Sequence, residues 1–365
     1  MTPARPRVAI DAHTIGRRAT GNETYVVGLL RGLHARSDVE AVALVDDGIE
    51  AWFGGEQRFL RSRSPIPRLM RDLAHPRRAW SADLLHVQYV RPTRCDAPVV
   101  TTIHDISFEH FPATFARRSR LRMHLTIPWS ARRSAAVVTG SEFSRQDLIA
   151  TYGLQPERVS VTPYAPDQRF RPLSADGVKQ RLNRFGLPAG YLLCVGNLQP
   201  RKNIRRLVEA YAGLRSDLRP PLVIVGQAGW RYRDIYDAIR KHGLTRSVHF
   251  TGFVDIDELV ALYGGAAAFA YPSLYEGFGL PVIEALACGV PTLASNRSSI
   301  PEVAGDAALL VDPDSVEAIQ AGLERVLSDE TLRAKLAVAG PHRAAQFSWA
   351  RCAEATVACY LRALG

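Results

Sequence analysis

Two glutamates give residues 271–291, YPSLYEGFGLPVIEALACGVP, the clearest capacity for chemistry in this sequence. Glu276 follows an apolar stretch that predicts a strand, and Glu284 comes eight residues later on a predicted helix. Pairs of glutamates at this spacing occur by chance in most chains of this length, so one loop acid and one solvated helix acid is the plain interpretation. The surrounding G-F-G-L-P sequence makes the pattern much more specific.

The loop between the predicted strand and helix suits an anionic ligand. Gly277 and Gly279 permit unusual dihedrals and the close approach of a ligand. The helix then begins at Leu280, with Pro281 in its first turn. Unpaired N–H groups and the positive dipole end at a helix N-terminus attract phosphate. Two carboxylates beside an anion need donors to hold, and sugar hydroxyls supply them, so the stretch predicts a nucleotide-sugar site.

Arg201 and Lys202 are adjacent cations in the loop that follows a predicted strand, Tyr191–Val195. Gly196, which directly follows that strand, is also assigned to the donor site. Two adjacent cations can hold both charges of a diphosphate, although a solvated turn is the usual place of such a pair. They would also absorb the charge of a departing diphosphate without a general acid. We expect no metal and no cofactor, because the Asp-x-Asp sequence at Asp255 is better explained as a helix cap.

Polar or glycine-rich segments also follow two strands of the N-terminal half. His104 and Asp105 stand at a predicted strand end, where ligands of open α/β sheets bind. A histidine hydrogen-bonded in a turn is the alternative. Gly16 and Gly21 lie in the loop after the predicted strand 7–11 and do not form a dinucleotide-binding fingerprint. A structural turn and a ligand loop therefore both remain open there.

Composition indicates a globular protein of two domains. The chain has 365 residues, of which 47% are hydrophobic and 22% charged. No apolar run is long enough to span a bilayer, and the N-terminus lacks the apolar segment of a signal peptide, which predicts a cytoplasmic protein. The five cysteines show no metal-binding spacing and fit reduced, buried thiols.

The net charge of +10 is unevenly distributed. Residues 1–170 hold 24 arginines and 17 acidic residues, and the densest basic stretch is 58–78. Such a face could serve nucleic acid, an anionic membrane or a diphosphate-linked substrate, or solubility alone. No aromatic-basic interleaving or recognition motif favours nucleic acid.

Strands and helices alternate in two series, which predicts an α/β protein with two doubly wound, Rossmann-like parallel sheets. A proline-rich linker at 163–172 separates the series. We expect an acceptor-binding domain at 1–170 and a nucleotide-sugar-binding domain at 171–347, with ligand between them at the strand carboxyl ends. The predicted strands are 7–11, 39–45, 84–87, 99–103, 136–139, 159–161, 191–195, 222–225, 248–251, 266–271, 292–295 and 308–311.

These features together resemble retaining glycosyltransferases of family 4, which have the two-domain GT-B fold. The resemblance covers essentially the whole chain. It is carried by GNLQPRKNI at 196–204, YPSLYEGFGLPVIEALACGVPTLAS at 271–295, TIHD at 102–105 and TGSEFSR at 139–145. The two glutamates match the E-x7-E motif of that family.

The resemblance implies a role for each site residue. Glu284 would bind the ribose and Glu276 the transferred hexose. The diphosphate would lie against Arg201 and Lys202, and the backbone of 277–280 (Gly277, Phe278, Gly279 and Leu280) would lie near the sugar and phosphates. In the N-terminal domain, His104 would face the donor sugar and the loop from Gly16 to Gly21 the phosphates. Asn22, Glu23 and Asp105 are assigned to the acceptor side. Asn22 and Glu23 lie in a loop that reads TGNETY where many members have Gly-Gly or G-x-G-R-Y.

The resemblance also implies the reaction and the C-terminus. Configuration at the anomeric carbon would be retained by front-face attack, and residues 348–365 would cross back to the N-terminal domain. Members with similar motifs favour mannose from GDP-mannose as the donor and an envelope glycan or lipid-linked saccharide as the acceptor. A separate hypothesis, from its charge, is that the stretch 58–78 docks on the anionic cytoplasmic leaflet of a membrane and meets a lipid-linked acceptor there. The alternatives are a UDP-sugar-dependent transferase, a nucleotide-sugar epimerase and, outside enzymes, a basic nucleic-acid-binding protein.

Overall fold

The computed structural model describes residues 5–17, 21–47, 54–61, 64–182, 185–187, 189–229 and 232–365. It divides into two compact units. The N-terminal unit comprises Met1–His110, Arg117–Ala165 and Phe347–Gly365, and the C-terminal unit comprises Phe111–Ala116 and Pro166–Gln346. The chain thus leaves the first unit within the predicted linker, five residues before the predicted boundary at 170.

The N-terminal unit is built on a parallel sheet with seven strands among the described residues, in the order β3-β2-β1-β4-β5-β6-β7. Its strands are β1 (Arg7–Asp11), β2 (Glu40–Asp46), β3 (Glu56–Leu60), β4 (Leu84–Gln88), β5 (Val99–Thr102), β6 (Ala136–Thr139) and β7 (Val159–Val161).

The C-terminal unit has a six-stranded parallel sheet among the described residues, in the order β10-β9-β8-β11-β12-β13. Its strands are β8 (Tyr191–Val195), β9 (Leu222–Val225), β10 (Val248–Gly252), β11 (Ala266–Tyr271), β12 (Thr292–Ser295) and β13 (Leu309–Val311). Continuous apolar runs such as β8 and β9 are buried because helices cover both faces of a parallel sheet. The predicted α/β fold with two parallel sheets is confirmed.

Helices connect the strands in both units. The N-terminal unit contains α1 (Gly21–His34), α2 (Pro65–Pro67), α3 (Pro76–Trp80), α4 (Ser107–His110), α5 (Arg117–Arg133), α6 (Glu142–Tyr152) and the last helix, α15 (Trp349–Leu364). The C-terminal unit contains α7 (Ala175–Leu182), α8 (Ile204–Ala212), α9 (Arg233–Lys241), α10 (Ile256–Gly264), α11 (Leu280–Ala287), α12 (Ile300–Ala304), α13 (Val316–Ser328) and α14 (Glu330–Ala344). No helix in the described part of the chain combines the length and apolar character needed to cross a bilayer.

The arginine-rich stretch contains an element that the sequence did not predict. Residues Glu56–Leu60 form β3, the edge strand beside β2. Charged residues alternate along this strand, so its sequence lacks the apolar run that predicts a strand. An edge strand tolerates such charge because it is half exposed. Arg63, which belongs to the same stretch, lies outside the described residues, as does the loop segment 18–20.

Helix starts depend on side-chain caps. Asp255 caps α10 with a full capping box, in which its carboxylate accepts from the Glu258 N–H and the Glu258 carboxylate accepts from the Asp255 N–H, both at 2.9 Å. The interpretation of this Asp-x-Asp sequence as a cap is therefore confirmed.

The last helix packs within the N-terminal unit. Gly28 and Gly32, one turn apart on α1, lie against Trp349 and Ala353 of α15. Further along the same face of α15, the Tyr360 hydroxyl lies 2.6 Å from Nδ1 of the buried His86 on β4. The small residues let the two helices approach closely, so the return of the chain is part of this unit's core.

We expect Gly32→Ala to lower the free energy of unfolding by about 1–3 kcal/mol, because the added Cβ would overlap the Trp349 carbonyl and touch the Ala353 Cβ at 3.0 Å. Urea unfolding measures the change. The control is Gly177→Ala in α7, where a Cβ would meet the Ser174 hydroxyl at 3.3 Å. It should leave stability unchanged or slightly raised, and equal effects of the two substitutions would contradict the tight α1–α15 contact.

Candidate functional site

The site with the most chemistry lies where the strand order of the C-terminal sheet reverses. β8 pairs with β9 on one side and with β11 on the other, so the chain leaves their carboxyl ends in opposite directions. Ligands of open α/β sheets bind outside the strand ends at such a point. The loop 196–203 follows β8 and the loop 272–279 follows β11, so topology brings the two predicted motifs together.

Backbone conformation fixes the first of these loops. Gly196 has φ +152°, and residues 200–202 form a single 3₁₀ turn. Asn203 then adopts a left-handed conformation with φ +58°, which asparagine tolerates better than most residues. Its buried side-chain amide donates to the carbonyls of Pro272 at 3.0 Å and Pro313 at 2.6 Å. The Asn203 side chain therefore fixes the cationic turn to the second loop.

Hydrogen bonds to backbone atoms hold the second loop against the first. The Leu274 N–H donates to the Arg201 carbonyl at 2.8 Å, and the Arg201 guanidinium donates to the Tyr275 carbonyl at 2.9 Å. Ser299 follows β12 in the chain, and its hydroxyl lies 2.9 Å from the carbonyls of both Glu276 and Phe278. The loop that carries Glu276 is thus positioned from both sides.

The Glu276 carboxylate is buried and receives four donors. Its Oε2 accepts from Arg201 Nη1 at 2.8 Å. Its Oε1 accepts from Lys202 Nζ at 2.7 Å, Ser273 Oγ at 2.6 Å and Tyr271 OH at 2.9 Å. Lys202 Nζ also donates to the Tyr271 hydroxyl at 2.5 Å. We call these five side chains the Glu276 cluster.

Two cations decide the protonation state of Glu276. Burial by itself would raise its pKa, but the charges of Arg201 and Lys202, with hydrogen bonds from Lys202 and Ser273, lower the pKa to about 2. Glu276 is therefore an anion at any physiological pH. It can accept hydrogen bonds but cannot serve as a proton donor.

Helix α11 begins directly after this loop. Gly279 caps it with φ +100°, and a Cβ there would lie 2.6 Å from Ile300 Cδ1. Of the two loop glycines, Gly279 alone has a positive φ; Gly277 does not use the unusual dihedrals that we expected of it. Leu280 and the buried Phe278 flank the start of the helix, where Pro281 has no N–H and the Val282 N–H donates to the Gly279 carbonyl at 2.9 Å.

The pKa of the second glutamate, Glu284, is shifted in the opposite direction. Glu284 lies buried in the second turn of α11, where the Tyr263 hydroxyl donates to its Oε2 at 3.2 Å. Burial raises the pKa of Glu284 to about 7, and the Tyr263 hydrogen bond offsets only part of this rise. The charge of Lys202 lowers this pKa only slightly, and among the described residues no salt bridge to Glu284 is formed. Glu284 therefore titrates near neutral pH.

In the N-terminal unit, His104 follows β5 and is buried. Its Nδ1 lies 2.7 Å from the Tyr164 hydroxyl, and its Nε2 lies 2.9 Å from Gln88 Oε1. The rings of Tyr25 and Tyr89 pack edge-on against it. Burial lowers its pKa to about 4, so His104 is neutral at physiological pH. Both ring nitrogens have protein partners, as the alternative of a hydrogen-bonded histidine expected.

The residues predicted beside His104 have local structural contacts. Glu23 Oε1 accepts from the Gly16 N–H at 2.8 Å, and Gly16 has φ +78°, so this loop needs glycine at that position. Gly21 and Asn22 are the first two residues of α1. Asp105 Oδ1 accepts from the Ser107 N–H at 2.9 Å at the start of α4. These contacts explain the residues structurally and leave their assignment to substrate a prediction.

Sequence reasoning missed the hydroxyl groups of the site. Tyr271 and Ser273 stand within the glutamate motif, and Tyr263 is on α10, eight residues before Tyr271. Tyrosines at the end of apolar stretches look like core residues, and here they are core residues whose hydroxyls reach the carboxylates. The signal that could have found Ser299 is its place after a strand end, in the loop beyond β12.

No group of three or more histidine, cysteine, aspartate or glutamate side chains among the described residues could hold a metal ion. That the reaction needs no metal stays a prediction.

Comparison with known proteins covers both halves of the chain. The family model described as "Glycosyltransferase Family 4" matches residues 19–167, and the one described as "Glycosyl transferases group 1" matches residues 183–343. The O-antigen chain mannosyltransferase B of Escherichia coli is 33% identical over 357 residues, which cover 95% of this chain and 93% of that protein.

Solved structures share the architecture. A sucrose-phosphate synthase of Thermosynechococcus elongatus superimposes with a TM-score of 0.79 at 22% identity, covering 98% of each chain. HepE of Anabaena, solved in complex with UDP-glucose, gives a TM-score of 0.76 at 18% identity, covering 96% of this chain and 97% of that one. At these identities the likeness concerns the fold.

The raised pKa of Glu284 predicts a pH-dependent stability. The folded pKa of about 7 lies above the ordinary value of 4.5, so its contribution to stability is fully present below about pH 4.5 and is lost as the pH rises through about 7. Glu284→Gln cannot ionise. We expect it to be more stable than the wild type by about 1–3 kcal/mol at about pH 8, and equally stable at about pH 4.5.

Urea unfolding at the two pH values measures this difference. Glu276→Gln is the matched control: it should be less stable than the wild type at both pH values, because it leaves two part-buried cations without their anion. A Glu284→Gln effect that does not change with pH would show that Glu284 does not titrate in this range.

Proposed function

The chain belongs to the glycosyltransferases of family 4, with their GT-B fold, and on this premise we propose that it transfers mannose from GDP-mannose. The acceptor is a hydroxyl of a glycan or lipid-linked saccharide, and the anomeric configuration is retained. The observation that carries the proposal is the Glu276 cluster at the sheet's reversal point, since it joins an anion-binding pair of cations to a buried carboxylate that stays ionised.

The charges of the site indicate which residues bind each part of the donor. Arg201 and Lys202 bind the diphosphate, helped by the positive dipole end of α11. Glu276 accepts from hydroxyls of the hexose and Glu284 from the ribose. The C-terminal unit is the nucleotide-sugar domain in this assignment. The N-terminal unit provides the acceptor side with Asn22, Glu23 and Asp105, and its His104 faces the donor sugar.

The chemistry follows from these charges. The bond between the anomeric carbon and the phosphate oxygen breaks, and Arg201 and Lys202 stabilise the negative charge that develops on the diphosphate. The acceptor oxygen attacks from the same face, and its proton passes to the departing phosphate oxygen. This mechanism requires no proton from Glu276 or from the neutral His104, which agrees with their lowered pKa values of about 2 and about 4.

The relatives favour mannose over glucose as the sugar. The relative that covers nearly the whole chain is a mannosyltransferase of O-antigen chains. The second candidate is a UDP-glucose-dependent transferase, favoured by the similar fold of a protein solved with UDP-glucose, although at lower identity. An epimerase remains the further alternative, which product analysis without acceptor excludes or establishes.

Transfer assays with radiolabelled donors test the proposal. We expect GDP-mannose to be consumed in an acceptor-dependent way, with a chelator present, and UDP-glucose to be consumed at least about tenfold more slowly. Glu276→Ala should lower kcat by about two or more orders of magnitude and still bind GDP, because the carboxylate serves the sugar. Glu284→Ala should mainly weaken GDP binding. Near-normal transfer by Glu276→Ala would overturn the assignment of the site.

The arginine-rich surface of the N-terminal unit gives the proposed acceptor a place. Among the described residues, a cavity of about 770 Å³ is lined by six basic side chains and a single acidic one, Asp72. One of the six, Arg7, is already paired with Glu40 and Glu56. The same segment exposes three large apolar side chains. The basic residues that bear on this point are Arg58, Arg61, Arg71, His75 and Arg78, and the apolar ones are Phe59, Ile66 and Met70, exposed by 53%, 70% and 62%.

Positive charge next to exposed apolar side chains matches an anionic membrane surface, where phosphates meet the arginines and hydrocarbon receives the apolar groups. We propose that this surface, which we call the basic surface, holds the enzyme on the cytoplasmic leaflet beside its lipid-linked acceptor. Nucleic acid is not its partner in this proposal.

Co-sedimentation with phosphatidylcholine vesicles, with and without phosphatidylglycerol, tests the basic surface. We expect binding only with the anionic lipid, weakening with salt and falling by about 100-fold in a triple charge reversal, since each basic residue contributes roughly 1 kcal/mol. Binding that ignores anionic lipid would overturn the proposal. The triple variant is Arg58→Glu, Arg61→Glu and Arg71→Glu, and its control reverses three exposed arginines of the C-terminal unit, Arg205→Glu, Arg215→Glu and Arg240→Glu.

A further inference from the structure

The Glu276 carboxylate and the donor's diphosphate have the same partners. We propose that Glu276 competes with the diphosphate for Arg201 and Lys202, so that donor binding exchanges one anion for the other and releases the carboxylate to the sugar. The inference rests on the proposed function, because it assigns the diphosphate to these two cations.

Geometry supports the exchange. The carboxylate takes one donor on Oε2 and three on Oε1, which are about as many as its lone pairs can accept. Oε1 is therefore fully occupied, and a sugar hydroxyl can bind to it only if one of its donors leaves, whereas Oε2 accepts from Arg201 alone. The two cationic donors are able to leave, because Arg201 and Lys202 retain 17% and 11% of their side-chain exposure, whereas Ser273 and Tyr271 are buried.

Charge supports it as well. Two cations and one carboxylate leave the cluster with a net charge of +1 at neutral pH. A diphosphate brings two or more negative charges, and a carboxylate bound to the same cations within hydrogen-bonding distance would repel it strongly in a buried site. Moving the cations to the diphosphate and the carboxylate to a neutral hydroxyl removes this conflict.

Tyr271 and Ser273 keep the released carboxylate in place. Both donate to Glu276 Oε1, at 2.9 and 2.6 Å, and neither carries a charge that the diphosphate would draw away. Tyr271 also accepts from Lys202 Nζ at 2.5 Å, so its hydroxyl contacts both the Lys202 ammonium group and the Glu276 carboxylate. Tyr271 is thus a positioning residue, which holds the carboxylate while the ammonium group changes partner.

The exchange affects both the binding of the donor and the release of the product. A bare diphosphate displaces Glu276 without offering it a hydroxyl, so the nucleoside diphosphate product binds less well than the cations alone would allow. The intact donor supplies a hydroxyl in return. Glu276 therefore favours the sugar nucleotide over the product, and it assists product release by returning to its cations.

Titration calorimetry with inorganic pyrophosphate at about pH 8 tests the exchange, because the probe has the diphosphate charge and no sugar. We expect Glu276→Gln to bind pyrophosphate about tenfold or more tightly than the wild type, since the competing charge is gone. The same variant should transfer sugar far more slowly. A residue with a merely structural role would produce the opposite result, because a loosened loop binds every ligand less well.

Three further variants make the measurement specific. Glu284→Gln removes an equal charge two turns further on and should shift pyrophosphate affinity much less. Glu276→Asp keeps the charge and should stay near the wild type. Arg201→Ala with Lys202→Ala shows how much pyrophosphate binds at other basic surfaces, and this amount is subtracted. Thermal unfolding of each variant confirms that it folds.

The outcomes separate this inference from the proposed function. Pyrophosphate binding by Glu276→Gln that equals or falls below that of the wild type overturns the exchange, even if sugar transfer is found. Tighter pyrophosphate binding with no transfer from any nucleotide sugar would leave the exchange standing and overturn the function. Tighter binding together with lost transfer is the result that we expect.

Discussion

A buried carboxylate held by two cations is the interaction on which the rest of the C-terminal unit depends. Glu276 could not be ionised in this buried place without Arg201 and Lys202, and removal of both cations would leave its charge uncompensated. Contacts below 3 Å require that β8 and β11 be neighbours, that Asn203 fix one loop and that Ser299 fix the other. The sheet order, the strained turn and the hydroxyl groups all serve this one arrangement.

The two glutamates of the motif differ because their neighbours differ. Both are buried, and burial alone would raise the pKa of each. Glu276 faces two cations and has a pKa of about 2, whereas Glu284 has a tyrosine hydroxyl and a pKa of about 7. One is a permanent anion, suited to steady recognition of a hydroxyl. The other responds to pH and to any ligand that offers it a hydrogen bond.

The N-terminal unit is organised on different physical terms. Around His104, the aromatic side chains of Tyr25, Tyr89 and Tyr164 form a neutral network, in which Tyr25 and Tyr164 are buried. The last helix packs against this unit at Gly28 and Gly32. Apart from buried charges such as those of Asp11 and Arg68, the positive charge of this unit lies on its arginine-rich exterior. A rigid neutral interior and a strongly basic exterior fit a unit that presents one surface to an anionic partner.

The local pattern of the sequence determined the elements and the motif. Twelve of the thirteen strands between Arg7 and Val311 could be predicted, because a buried parallel strand is a continuous apolar run that shows in a few neighbouring residues. Strand β3 could not, since its edge position makes its sequence polar. The glycine loop, the Arg-Lys pair and both glutamates were likewise visible as residue types at fixed spacings.

Tertiary structure decided what those residues do to each other. The pairing of β8 with β11 brings Arg201 and Lys202 to Glu276, and it places the Tyr271 hydroxyl against both Lys202 and Glu276. Lys202 and Arg201 are separated from these partners by about seventy residues of sequence. The distances depend on the packed sheet and not on any local pattern. The sequence therefore located the acids, and only the fold made one a full anion and the other partly neutral at neutral pH.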